Sequence, residues 1–91
     1  MNIYDVVLKQ RAYKPIAGYY GEPKYWIVFY DEDKEKSISE MAKYVKKNGF
    51  VTPDGKFTVE GIGIRERTPT GEFIKYTPYH EIFNTATGQR K

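Results

Sequence analysis

Apolar and polar positions alternate with a period of two over residues 3–10, IYDVVLKQ. Tyr4, Val6 and Leu8 fall on one face and Asp5, Val7 and Lys9 on the other, the pattern of a strand. Residues 25–30, YWIVFY, are apolar throughout, with Tyr25, Ile27 and Phe29 on one face and Trp26, Val28 and Tyr30 on the other. A strand of that kind is expected at the centre of its sheet or covered on both sides. Between these segments, residues 11–24 hold two prolines, two glycines and three tyrosines, which is loop composition.

The period then changes to 3.6. After the charged run DEDKEK at 31–36, Ile38, Met41, Ala42 and Val45 follow the i, i+3, i+4, i+7 spacing of one buried helical stripe. Ser37 and Glu40 read as a capping box at its start. Lys46 and Lys47 suit the negative end of the helix dipole, and Gly49 suits a left-handed stop.

The remaining third reads as hairpins. Thr52-Pro53-Asp54-Gly55-Lys56-Phe57 and Thr68-Pro69-Thr70-Gly71-Glu72-Phe73 repeat the chemistry T-P-x-G-x-F. Proline presets φ at the first corner, and glycine takes the left-handed position that closes the turn. Residues 56–67 read as a strand whose phase slips between Val59 and Ile62, so a bulge or bend is expected at Gly61 or Gly63. Residues 72–83 read as the last strand, with Pro78 as an edge position or break, and 50–52 as a short extra strand. The pattern predicts an α+β fold: a twisted antiparallel sheet of four to five strands, in the order β-β-α-β-β, with one short helix packed on one face. Residues 1–83 form the expected single domain and 84–91 a polar, mobile tail.

Composition narrows the function. A chain of 91 residues has room for one modest core and no deep internal cavity. There is no cysteine, hence no disulfide and no thiolate metal site. No apolar run reaches the ~20 residues of a membrane span, and the start MNIYDVVLKQ lacks the pattern of a signal peptide. A cytoplasmic protein is expected, in the host cytoplasm if the chain is viral. The net charge is +3, but Arg90 and Lys91 supply two of those charges from the tail. The body therefore carries little of the clustered cation that phosphate binding needs.

Candidate chemistry is sparse. The single histidine, His80, sits beside Glu81 in the last predicted strand, where neighbours point to opposite faces, and nothing marks a nucleophile for it. Asp31, Glu32, Asp33 and Glu35 crowd four carboxylates together without the glycine and terminal glutamate of an EF-hand, so a solvated turn is expected. No catalytic residue, metal or cofactor is expected. GYYG at 18–21 has the spacing of the KH-domain GxxG but not its two flanking helices, and KYWIVFY at 24–30 lacks the glycines of an RRM strand.

One helix covers only part of one sheet face, and 16% of the chain is aromatic, including nine tyrosines. Either the sheet curls or the 11–24 loop folds back over the second face, or that face is a contact surface. In the latter case Tyr13, Tyr19, Tyr20, Trp26 and Tyr30, rimmed by Arg11, Lys14 and Lys24, are the expected binding residues. Arg65-Glu66-Arg67 is a second candidate, although alternating charges at a strand end are ordinarily solvated. The expected function is a small non-enzymatic binding protein acting by protein–protein contact. A short, Tyr- and Lys-rich chain of this kind resembles, in style, the inhibitors and regulators of phages and mobile elements. On that resemblance the partner is a nucleic-acid-handling protein of the host. The alternatives are direct binding of single-stranded DNA or RNA through an aromatic sheet face, and a homodimer pairing through the sheet.

Overall fold

The first strand, β1 (Ile3–Gln10), lies inside the sheet with a partner on either side. In the computed structural model, which describes residues 1–10 and 24–91, β1 pairs antiparallel with β2 (Lys24–Asp31) and with β3 (Gly61–Arg67). The fourth strand, β4 (Phe73–Pro78), joins β3, so the order across the sheet is β2-β1-β3-β4. A helix, α1 (Lys34–Asn48), packs on one face, and a four-residue helical turn, α2 (Tyr79–Ile82), follows β4 directly. This is the α+β arrangement expected from the pattern, with a second, small helix added.

Alternation in β1 decides which residues meet the helix. Val6 and Leu8 are fully buried there with Ile62 and Ile64 of β3, Ile38 and Met41 of α1, and Tyr79 and Phe83 at the end of the chain's last turn. Each such aliphatic side chain contributes roughly 1.5–3 kcal/mol by leaving water. The Tyr79 ring meets Phe50 edge-on at 5.5 Å and stacks on Phe83 at 5.0 Å, so three aromatics close one end of the core.

Several expectations are corrected. The apolar β2 is an edge strand, not a central one; the centre belongs to β1, where Asp5 through Leu8 are all buried. The faces of β2 also differ from simple alternation. Val6 pairs with Phe29 but Val7 with Ile27, so Val28 is an extra, bulged residue. Val28 and Phe29 therefore both turn toward the helix-side core along with Trp26, while Tyr25, Ile27 and Tyr30 are exposed. Trp26, Val28 and Tyr30 do not share a face.

The bulge expected at Gly61 or Gly63 is absent, because β3 begins at Gly61 and keeps an unbroken register with β1. The apparent phase slip is a boundary: residues before it return from the first T-P-x-G turn, held by a single bridge between Val51 and Thr58. Both turns close alike. The Gly55 N–H donates to the Thr52 carbonyl at 2.8 Å and the Gly71 N–H to that of Thr68 at 3.0 Å, with φ of 74° and 99° at the glycines. The last predicted strand stops at Pro78, and His80 lies in α2 rather than in a strand. Beyond Phe83 the chain turns back, with the Lys91 N–H donating to the Ile82 carbonyl at 2.9 Å and Arg90 paired with Glu35 of α1.

The helix begins one turn earlier than the Ser37–Glu40 capping box implies. Asp33 is the N-cap; its carboxylate accepts from the N–H groups of Glu35 and Lys36 at 3.0 and 3.4 Å. Ser37 is buried instead, donating through its hydroxyl to the Tyr4 carbonyl at 2.8 Å and so tying α1 to β1. Asp33→Ala should therefore destabilise the protein by about 1 kcal/mol in urea unfolding, the usual cost of a lost cap. Glu40→Ala, which loses a surface pair with Lys43, should stay within about 0.5 kcal/mol. The reverse ranking would restore the capping box.

Candidate functional site

The face of the sheet away from α1 is built from the other half of the strand alternation. Cross-strand pairing sets three rows on it: Tyr30–Asp5–Arg65–Tyr76, Ile27–Val7–Gly63–Pro78, and Tyr25–Lys9–Gly61. Ile3, Arg67 and Phe73 make a fourth. Five large side chains of this face stand in water: Tyr25 at 55%, Ile27 at 50%, Tyr30 at 64%, Phe73 at 65% and Tyr76 at 39% exposure.

Between the aromatic side chains sits a buried charge. Asp5 is 0% exposed in the middle of the sheet. Its Oδ2 accepts from Arg65 Nε at 3.0 Å and from Arg67 Nε at 2.7 Å, and its Oδ1 accepts from Arg67 Nη2 at 3.2 Å. Arg65 Nη2 also approaches Oδ2 at 2.9 Å. The hydrogen bond to Asp5 holds the Arg67 guanidinium above its already high ordinary value. Two fixed guanidiniums against one carboxylate leave this centre with one net positive charge. Arg65 and Arg67 are thus not a solvated strand end. Glu66 faces the other way, where it accepts from Asn2 Nδ2 at 2.6 Å.

Gly63 is required by what lies over it. A Cβ there would meet Tyr76 Cζ and Oη at 2.5 Å and the Thr77 carbonyl oxygen at 2.6 Å, so the Tyr76 ring lies down on bare backbone. Burial raises the Tyr76 phenol above its ordinary pKa of 10.0, with a smaller contribution from the phenol of Tyr25. Beside Tyr76 opens a groove of about 630 Å³ whose lining includes Val7, Tyr25, Phe50, Gly61, Arg65 and Tyr76.

The expected site residues separate. Tyr30 stands on this open face. Trp26 lies on the helix side across from Leu8, its Nε1–H donating to Gln10 Oε1 at 2.9 Å. Lys24 places its ammonium 4.1 Å from the centre of the Trp26 ring, so its charge is directed to that ring and not to the open face. Arg11, Tyr13, Lys14, Tyr19 and Tyr20 lie outside the described residues. The sequence reading missed Asp5, Tyr25, Ile27, Phe73 and Tyr76. The available signal was an aspartate inside an otherwise aliphatic strand, because a carboxylate in that setting needs cationic partners.

Within the 31–35 run, Asp31 accepts from the Asp33 N–H at 2.8 Å, which holds it below its ordinary range, and Glu35 is held below its own by Arg90, 55 residues on. His80 is exposed on α2 and contributes to the groove lining.

Removing one partner of a buried carboxylate is costly. Arg67→Ala should destabilise by about 3 kcal/mol in urea unfolding, and Arg67→Lys by less, because the charge stays while the fork is lost. An Arg67→Ala cost under about 1 kcal/mol would mean that water reaches Asp5. On the alkaline side, Tyr44 and Tyr76 are both raised by burial. The stability they contribute is fully present below the ordinary tyrosine value. It is lost as pH rises through their higher folded values, so unfolding free energy should fall above about pH 10. Tyr76→Phe should make that fall shallower; an unchanged slope would refute the burial of the phenol.

Comparison with protein-family models, with curated proteins and with solved structures gave no match, so the functional argument rests on the geometry of this face.

Proposed function

We propose that the chain is a non-enzymatic binding protein that docks a partner protein on its open sheet face. The observation that carries this reading is the cluster of Tyr25, Ile27, Tyr30, Phe73 and Tyr76 exposed around the Arg65–Asp5–Arg67 centre. Exposed apolar side chains gathered on one face are costly for a monomer and are characteristic of contact sites. Tyrosine, phenylalanine and arginine are residues that interfaces concentrate: the rings combine large rigid area with few rotamers, and arginine supplies a planar fork of donors.

Charge selects among occupants. A second copy related by a two-fold axis would bring like guanidinium centres toward one another. Phosphate binding draws on several cations, whereas among the described residues this face carries Arg65 and Arg67 shared with Asp5, and Lys9 paired with Glu60 at 3.8 Å. A partner presenting an acidic and apolar patch fits both features. An inhibitor or regulator role is the finer form of the same reading, since occupying such a patch would block whatever else uses it.

The test compares surfaces of one protein. The immobilised chain, its Ile27→Asp variant and its Lys46→Glu variant on the exposed helix side are each presented with lysate of the native host. One retained protein is expected, lost at least tenfold with Ile27→Asp and kept with Lys46→Glu. Equal retention by all three would overturn the open-face assignment. So would micromolar, steeply salt-dependent binding of a labelled single-stranded oligonucleotide, which would move the function to nucleic acid.

A further inference from the structure

We infer that the groove beside Gly61 is an anchor pocket for an aromatic side chain borne on an acidic segment of the partner. This rests on the open-face reading above and names the chemistry that the face selects. Three observations support it.

The first is space at the right place. The groove of about 630 Å³ lies against the sheet, with Tyr25, Tyr76 and Phe50 among its lining. Aromatic rings pair best edge-to-face or offset-stacked, and a pocket lined by several rings offers both arrangements to an incoming one. Pockets that take a single buried aromatic at the middle of an interface are where binding energy concentrates.

The second is the contrast between two glycines of one strand. Gly63 is filled from above by Tyr76, and a Cβ there collides with both ring and backbone. Gly61 is less crowded: among the described residues a Cβ there would find only Tyr76 Oη, at 3.9 Å. Packing within the described residues therefore explains Gly63 and leaves Gly61 unexplained. An uncovered glycine in a strand marks a place where another group can approach the backbone closely.

The third is charge. Arg65 belongs both to the groove lining and to the Asp5 centre, where two guanidiniums share one carboxylate. Asp5 holds them in fixed positions, so a carboxylate flanking the incoming ring meets donors that need little further ordering. A cationic flank meets repulsion at the same place.

The contrast between the glycines also supplies the decisive variant. Gly61 has no positive φ and a Cβ there meets only an ordinary contact with Tyr76 Oη among the described residues, so the backbone accepts a side chain, and the branches of Gly61→Val extend into the groove. The probes are acetyl-Glu-Tyr-Glu-amide, acetyl-Glu-Ala-Glu-amide and acetyl-Lys-Tyr-Lys-amide, followed by amide and arginine Nε–H shifts in NMR titrations of the full chain. The tyrosine peptide with glutamate flanks is expected to shift Gly61, Tyr76 and the Arg65 Nε–H. The other two should bind about tenfold more weakly or not at all, the discrimination of a single good contact. Gly61→Val should keep the thermal midpoint and lose the response.

Equal binding of the alanine peptide would remove the ring pocket, and equal binding of the lysine peptide would remove the charge selection. No response from any peptide, or an undiminished response in a folded Gly61→Val, would overturn the proposal. The two readings fail separately, because Ile27 is outside the groove lining. Partner capture lost with Ile27→Asp but untouched by Gly61→Val would keep the docking face and discard the pocket.

Discussion

A four-stranded sheet has two faces, and α1 covers one of them; that inequality shapes everything else in the described residues. β1 feels it most: like β3 it has a neighbour on each side, and four of its residues in a row are buried. Its even positions, Val6 and Leu8, go under the helix, where Ile38 and Met41 complete a dry core. Its odd positions, Asp5 and Val7, are also buried, although no helix of the described residues lies over them. They are shielded by neighbours on their own face: two arginines over Asp5, and the row that carries Ile27, Gly63 and Pro78 beside Val7.

Covering a sheet centre with arginine and tyrosine has consequences that an aliphatic cover would not. An aliphatic layer would hide the face and end the matter. Arginine and tyrosine shield what lies beneath while presenting polar ends and ring surfaces to solvent. The same groups that shield Asp5 thus leave ring surface and guanidinium edges exposed on the face. Asp5 and its arginines depend on each other: the buried carboxylate is tolerable because Arg65 and Arg67 surround it, and its oxygens hold both guanidiniums in place.

The two edge strands solve the remaining geometry with one device. Each carries an extra residue relative to its partner, Val28 in β2 and Ile74 in β4. A bulge lets a strand place two neighbouring residues off the strict alternation and increases local twist. In β2 this sends Trp26, Val28 and Phe29 to the core and leaves Tyr25, Ile27 and Tyr30 outside. It is why a strand that looks apolar on both sides can sit at an edge.

Local chemistry determined much of this from the sequence alone. The helix stripe at Ile38, Met41, Ala42 and Val45, the stop at Gly49, both T-P-x-G turns and the alternation of β1 depend on residues close in the chain, so they were legible there. The succession of strands and helix along the chain was legible for the same reason, although the order of strands across the sheet was not. What only the tertiary structure decided are the matters set by partners distant in sequence. Asp33 rather than Ser37 caps the helix because Ser37 has a better partner in Tyr4, on another strand. The bulge at Val28 exists only relative to β1, and no property of β2 by itself reveals it. Arg65 and Arg67, which alternate like a solvated strand end, become an ordered cationic centre because β3 pairs with β1 in the register that sets Arg65 against Asp5. That aromatic side chains would stand exposed on one face was expected from the surplus of aromatic area over available cover. The composition of that face was not, since which of those side chains stand together depends on strand order and register.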